Sequence, residues 1–289
     1  MNKVTDRVEK IFAHAVAMEQ TGRLKNTIYV VGKEIFIMNF DNTLLLRFPL
    51  RESEAPFGHS VSFRASDYDS KRFEEKGGKV IFSTEKNGFI KEKRCSAPGS
   101  TPEEIKAVFE RYSNLKENRI TLNRSILELL DTNLSHIEFW SEGRELRITQ
   151  RNIFDGSVIE LKRSGGEGFG ALVSGEDEIS RDFGPVGIRT PDFEALFLFT
   201  PSIQISFGTE EDEYAYLQGL DSKTKMRGIL STCVYDEMGE IRQSRRKGDK
   251  DGRKKQKDWA GEQEVGGTSD ERKRGEKVRR SRNGKKTKK

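Results

Sequence analysis

Gly32-Lys33-Glu34-Ile35-Phe36-Ile37 and Gly143-Arg144-Glu145-Leu146-Arg147-Ile148 share one pattern: glycine, basic residue, glutamate, aliphatic residue, any residue, isoleucine, at a spacing of 111. A second pair follows in the same order at a spacing of 125. Val61-Ser62-Phe63-Arg64-Ala65-Ser66-Asp67-Tyr68 is echoed by Val186-Gly187-Ile188-Arg189-Thr190-Pro191-Asp192-Phe193. Two matches in register read as a duplicated module, and the growth in spacing places an insertion in the second copy. The glycine-rich stretch Gly165–Glu178 is the natural site for it, read as a flexible loop.

Around these anchors the two copies show the same local plan. Each opens with a helix, Val4–Gln20 and then Arg124–Thr132. Strands follow at Thr27–Val31, Glu34–Phe40 and Thr43–Phe48 in the first copy, and at His136–Trp140, Glu145–Asn152 and Ser157–Lys162 in the second. Asp41-Asn42 and Asp155-Gly156 supply the hairpin turns, since these residues tolerate positive φ. A strand then leads into a short helix: Val61–Ala65 into Asp67–Glu75, and Val186–Arg189 into Pro191–Phe199. Thr190 caps the latter and Pro191 stands at its first position. Each copy closes with a hairpin, Lys79–Thr84 with Gly88–Lys93 and Ser202–Gly208 with Glu213–Leu220, and the second adds Lys225–Tyr235. Between the copies, Ser96–Glu117 carries a helix whose Thr101, Pro102 and Glu104 form a capping box. Ile105, Val108, Phe109 and Tyr112 mark its apolar face. The expected class is α+β, two similar domains, each an antiparallel sheet with two helices on one face.

Composition divides the 289 residues at about Glu240. Ile241–Lys289 holds 20 Lys+Arg against 8 Asp+Glu, which leaves 32 against 39 for residues 1–240. The pI therefore reflects the tail, and the remainder is acidic. Ile241, Trp259, Val265 and Val278 are nearly the only large apolar residues after Glu240. That is too little apolar surface to offset ordering entropy, so the tail is expected to be disordered. Its basic runs, such as Arg245-Arg246-Lys247 and Lys285-Lys286, suit polyanion contact. The expected domain boundaries are 1–95, a connector at 96–117, 118–240, and the tail at 241–289. No apolar run approaches the length needed to span a bilayer, and no signal-peptide core is present. Cys95 and Cys233 imply no disulfide framework, so a reducing cytoplasm is the expected compartment.

Chemistry is sparse. No nucleophile-base arrangement, P-loop or metal-ligand spacing stands out, and Gly165-Gly166-Glu167-Gly168-Phe169-Gly170 does not fit the dinucleotide fingerprint. No cofactor is expected. One enzymatic alternative is a metal-dependent nuclease in which Asp155 and Glu160 hold the metal and Lys162 stabilises charge on the phosphate. Ordinary strand alternation accounts for Glu160 and Lys162 equally well. His14, His59 and His136 are scattered.

Charge placement says more. In the first helix Val4, Val8, Ile11, Phe12 and Ala15 form an apolar stripe, and Lys3, Arg7, Lys10 and His14 form a second line roughly 130° away. Arg23 and Lys25 extend it. Lys71, Arg72 and Lys76 lie in the expected short helix, and Arg119 and Arg124 border the opening helix of the second copy. Positive charge on helices of an otherwise acidic body points to an anionic partner on one face.

This duplicated plan resembles the DNA sliding clamps, the polymerase processivity factors, in the two-domain form of tailed bacteriophages and of proliferating cell nuclear antigen. The resemblance covers residues 1–240. It implies a non-enzymatic ring in which sheets form the outer wall and helices line the hole, and a homotrimer, because six domains close the ring. Its implied partners are double-stranded DNA, a DNA polymerase and a clamp loader. It also implies that Lys3, Arg7, Lys10, Arg23, Lys71, Arg72, Lys76, Arg119 and Arg124 face DNA, touching phosphates without reading bases. Ser96–Glu117 would be the interdomain connector beside which partner peptides dock. A third reading is a non-ring adaptor that binds nucleic acid through the tail. Two features depart from the clamp pattern: Pro191–Phe199 carries no Lys or Arg, and the basic tail is an addition.

Overall fold

A computed structural model describes residues 2–22, 25–68, 72–76, 79–87, 89–95, 99–114, 116–143, 145–152, 154–162, 179–208 and 213–232. The described residues fall within one compact unit. The first half runs β1 (Asn2–Lys3), α1 (Asp6–Gly22), β2 (Asn26–Val31), β3 (Glu34–Asn39), β4 (Leu44–Pro49), β5 (Val61–Arg64), β6 (Arg72–Lys76), β7 (Lys79–Lys86) and β8 (Phe89–Cys95). The connector helix α2 (Pro102–Tyr112) follows. The second half runs β9 (Asn118–Asn123), β10 (His136–Glu142), β11 (Glu145–Arg151), β12 (Val158–Lys162), β13 (Val186–Arg189), α3 (Thr190–Leu196), β14 (Ser202–Phe207), β15 (Tyr214–Gly219) and β16 (Arg227–Ser231).

The strands pair as three antiparallel sheets, ordered β1-β6-β7-β8, β12-β11-β10-β13 and β5-β2-β3-β4-β16-β15-β14-β9. The order repeats: β5-β2-β3-β4 corresponds to β13-β10-β11-β12, and β1-β6-β7-β8 to β9-β14-β15-β16. The duplication read from sequence is therefore a duplication of topology. The halves merge where β4 pairs with β16, Leu45 opposite Ile229 and Leu46 opposite Gly228. This seam is tight. A Cβ on Gly228 would lie 2.8 Å from Leu46 Cδ2 and 3.1 Å from Leu217 Cδ1, so a larger residue there must displace the tips of these leucines.

One face of the eight-stranded sheet carries Ile28, Val30, Ile35, Ile37, Leu44, Leu46 and Phe48 into the main core, which α1 joins with Val4, Val8, Ile11, Phe12, Ala15 and Met18. The spacing of those α1 residues is the helical period that the sequence displayed. The opposite face presents Tyr29, Phe36, Leu45, Tyr216 and Ile229, all buried, and α2 covers it with Ile105 and Phe109. Phe109 meets Phe36 at 5.7 Å between ring centroids, and the Arg47 guanidinium lies 5.6 Å from its ring. The expected capping box is present: Thr101 Oγ1 accepts from Glu104 N at 3.3 Å, and Glu104 accepts from Thr101 N at 2.7 Å.

Two expected helices are not formed. In place of a helix at Asp67–Glu75 there is a 3-10 turn, Ala65–Asp67, and then the strand β6. Phe73 is fully buried while Glu74 and Lys76 are exposed, the period-2 alternation of a strand. In place of a helix at Arg124–Thr132 there is a 3-10 stretch, Arg124–Glu128. The Gln150 side chain ends it, accepting from Asp131 N at 2.7 Å and donating to Asp131 O at 3.1 Å. Strands β1, β6 and β9 were not expected. Gly165–Glu178 and the tail after Glu240 lie outside the described residues.

Candidate nucleic-acid interface

The line Lys3, Arg7, Lys10, His14 does not survive folding as one positive stripe. Arg7 turns into the junction between the halves. Its Nη1 donates to Glu54 Oε2 at 2.6 Å, and its Nη2 donates to Pro49 O at 2.9 Å and to Thr224 O at 3.1 Å. Its side chain is 25% exposed. Burial alone would push the Glu54 carboxyl up, but hydrogen bonds from Arg51 and Arg7 outweigh it and hold the group below its ordinary value. His14 packs edge-on against Phe199 at 5.4 Å, and burial, then the nearby Lys10, lower its pKa. Both effects favour its neutral form. Of the two cations described on α1, only Lys10 remains exposed.

The other candidates lie on several elements. Lys3 and Arg72 stand directly opposite each other in the β1–β6 register. Lys76 is exposed at the end of β6, Arg119 is half-buried in β9, and Arg124 is exposed at the start of its 3-10 stretch. Arg23 and Lys71 lie outside the described residues. In the second half α3 presents no cation. Its Asp192 is buried, and burial raises its pKa even though Thr43, Arg189 and Asn39 favour the charged form.

Asp192 belongs to a group of residues that sequence reasoning missed. Its Oδ1 accepts from Asn39 Nδ2 at 3.0 Å and its Oδ2 from Thr43 Oγ1 at 2.6 Å. Beside it, Arg189 Nη1 donates to Asp41 Oδ2 at 2.8 Å. Asn39 Oδ1 accepts from Thr43 N and Leu44 N, which fixes the turn, and Ser231 N donates to Thr43 O at 2.7 Å. These contacts cross from the β3–β4 turn of the first half to β13, α3 and β16 of the second. The available signal was the pairing of Arg189-x-x-Asp192 with Arg64-x-x-Asp67, which marks these polar residues as part of the repeated module.

The side chains of the nuclease alternative are engaged with neighbours within the chain. Asp155 Oδ1 accepts from Ser157 N at 2.8 Å and from Ser157 Oγ at 2.7 Å within its own turn. Glu160, farther along β12, forms ion pairs with Arg147 at 3.2 Å and Lys162 at 3.3 Å. Among the described residues, no group of three or more His, Cys, Asp or Glu is placed to hold a metal ion. No described helix is long and apolar enough to cross a membrane.

Strand order, duplication and the helices α1 and α3 together define a sliding-clamp fold. Among solved structures, the chain is similar to the proliferating cellular nuclear antigen of Entamoeba histolytica, with 10% identity, a TM-score of 0.50, and 81% of this chain and 98% of that chain covered. It is also similar to the DNA polymerase III subunit beta of Pseudomonas aeruginosa, with 12% identity and a TM-score of 0.51, over 72% of this chain and 58% of that chain. No family model and no curated protein matches the sequence.

Proposed function

We propose that this chain is a non-enzymatic sliding clamp that closes head to tail, three copies to a ring, around duplex DNA and tethers a DNA polymerase after placement by a clamp loader. The observation that carries the reading is an inequality among sheet edges. Among the described residues, the three sheets end in β1, β8, β12, β13, β5 and β9. Four of these, β1 with β9 and β5 with β13, are counterparts that are edges in both halves. The other two are not: the counterparts of β12 and β8 are β4 and β16, which pair with each other inside the chain. An unpaired strand edge is a template for another chain. Copying the internal joint with β12 of one molecule on β8 of the next gives a heterologous contact, which closes into a ring if the rotation allows.

In this reading residues 1–95 and 118–240 are the clamp domains, 96–117 is the connector, and 241–289 is a basic tether. Lys3, Lys10, Arg23, Lys71, Arg72, Lys76, Arg119 and Arg124 contact phosphates loosely, while Arg7 holds the junction. Retention on DNA comes from ring closure, so sliding requires no base recognition. Light scattering across a concentration series tests the assembly. The expected mass is about three times 33.0 kDa. A strictly monomeric protein at the highest soluble concentration refutes the ring. Stimulation of a cognate polymerase on primed circular DNA, undiminished after removal of Ile241–Lys289, separates a clamp from a tail-driven adaptor.

A further inference from the structure

The polar joint inside the chain has a second, unused set of parts. On one side, the β3–β4 turn supplies Asn39, Asp41 and Thr43, and the β11–β12 turn supplies Asn152, Asp155 and Ser157 in the same order. Both turns pass through a positive φ, at Asn42 (57°) and Gly156 (72°). Each is closed by its own asparagine, with Asn39 Oδ1 accepting from Thr43 N at 2.9 Å and Asn152 Oδ1 from Phe154 N at 3.0 Å. On the other side, Arg189 and Asp192 end β13 and enter α3, and Arg64 and Asp67 end β5 and enter the 3-10 turn. Four residues of the joint thus have counterparts in place and chemistry, Asp, a hydroxyl residue, Arg and Asp, while Asn152 matches Asn39 in chemistry only, since the spacing of 111 sets Gln150 opposite Asn39.

The first set is joined within the chain; in the second, Arg64, Asp155 and Ser157 are exposed and Asn152 and Asp67 are half-buried. Arg64 is exposed, and Asp155 accepts only within its own turn. Asp67 meets Lys93 at 3.0 Å. The turn precedes β12 and the Arg64–Asp67 segment lies in the half that ends in β8, so one copy cannot supply both sides of its own second joint in the geometry of the first. Val158 on β12 and Ile90 on β8 are 55% and 69% exposed, apolar side chains left on those edges.

We propose that the Asn152–Ser157 turn of one copy docks on Arg64 and Asp67 of a second copy, with Asp155 accepting from Arg64 and with Asn152 and Ser157 donating to Asp67. The partner is another molecule of this chain, because the recognition elements on both sides are its own. The contact supplies the specificity that a strand edge lacks. Backbone pairing between β12 and β8 accepts any register, whereas a charge pair and two hydrogen bonds at one end admit only one. The inference rests on the ring reading and adds the residues that close the ring.

Charge reversal tests it on the full-length protein, with self-association followed by light scattering and native mass. Asp155→Arg and Arg64→Asp each weaken assembly by roughly tenfold or more, and the double swap, Asp155→Arg with Arg64→Asp, restores it. The milder Asp155→Asn and Arg64→Gln weaken it in the same direction. Both positions of change are exposed, so the thermal melting of each variant measured as a monomer should match the parent. Wild-type assembly left intact by every single variant overturns the docking contact and leaves the ring reading standing. A wild-type protein that never assembles overturns both.

Discussion

Removing the Asp192 carboxylate is the sharpest perturbation of the joint between the halves. In Asp192→Ala a buried N–H of Asn39 and the part-buried hydroxyl of Thr43 lose their acceptor. A buried donor without a partner costs about 1–3 kcal/mol, so about 2–6 kcal/mol bounds the pair from above, the part-buried hydroxyl contributing the smaller share. The substitution also removes a carboxylate that burial disfavours, as its raised pKa records, and this places the net loss in the lower half of that range. A value of about 3 kcal/mol corresponds to a fall in Tm of roughly 6–12 °C for a chain of this size. Denaturation in urea gives the free energy, and amide exchange locates the damage. Leu44 N, held by Asn39, and Ser231 N, held by Thr43, should exchange faster than amides of β10 and β11. The pH dependence has a definite sign. The folded pKa lies above the usual 3.8, so the group's linkage contribution is complete below that value and is lost as pH rises through the folded pKa. The gap between the parent and Asp192→Asn therefore widens on acidification. A loss below about 1 kcal/mol, with unchanged exchange at Leu44 and Ser231, would refute the idea that this cluster holds the halves together.

Three further outcomes are expected. Glu34 is pushed up by burial but brought below its usual 4.5 by hydrogen bonds from Lys106 and Arg47, so its contribution is present above 4.5 and is lost as pH falls through the folded value. Glu34→Gln should accordingly narrow its stability gap from the parent in acid, the reverse of Asp192→Asn, as read by urea midpoints across pH. Phe109→Ala empties a site that is 1% exposed between α2 and the sheet, and should cost about 3–5 kcal/mol in urea denaturation, with α2 amides losing protection. Replacing Lys10, Lys76 and Arg124 with alanine should reduce the slope of log affinity for duplex DNA against log salt by about 0.9 for each phosphate contact removed. An unchanged slope in fluorescence anisotropy would remove these residues from the interface.

What was legible in the sequence followed from short-range physics. The β11–β12 hairpin declared itself through Asp155-Gly156, and the connector helix through Thr101, Pro102 and Glu104, because turns and caps are decided within a few residues. Strand β6 was hidden because Arg72-Phe73-Glu74-Glu75-Lys76 is made of good helix formers with one apolar residue. Only the burial of Phe73, 4.6 Å from Phe57 by ring centroids, makes it a strand. The fate of Arg7 was also beyond local reading. Helical spacing fixes its angle on α1, but Pro49, Glu54 and Thr224 lie 42, 47 and 217 residues away in sequence. Duplication was the one long-range signal available, and it led to the fold. Applied to Arg64, Asp67, Asp155 and Ser157 as well, it also marks the residues of the contact proposed above.

The two joints differ in a way that suits their separate tasks. Most of the strand seam inside the chain is apolar: Leu44 and Leu45 of β4 stand opposite Leu230 and Ile229 of β16, and Leu46 opposite Gly228, with the leucines and Ile229 buried. Beneath α2 it is sealed by Phe36, Phe109 and Arg47. Its counterpart strands are charged. β8 carries Lys91, Glu92, Lys93 and Arg94, and β12 carries Glu160 and Lys162. Where Tyr29 and Phe36 lie under a helix, the equivalent Trp140 is covered by the Arg147 guanidinium at 4.8 Å, which Glu142 and Glu160 hold in turn. Charged edges resist indiscriminate strand addition. A contact made from exposed ion pairs is weaker and more sensitive to salt than one made from buried leucines. In the proposed ring, the module would thus serve twice: as a seam of buried leucines holding two halves of a chain together, and as a charged contact between copies that can open.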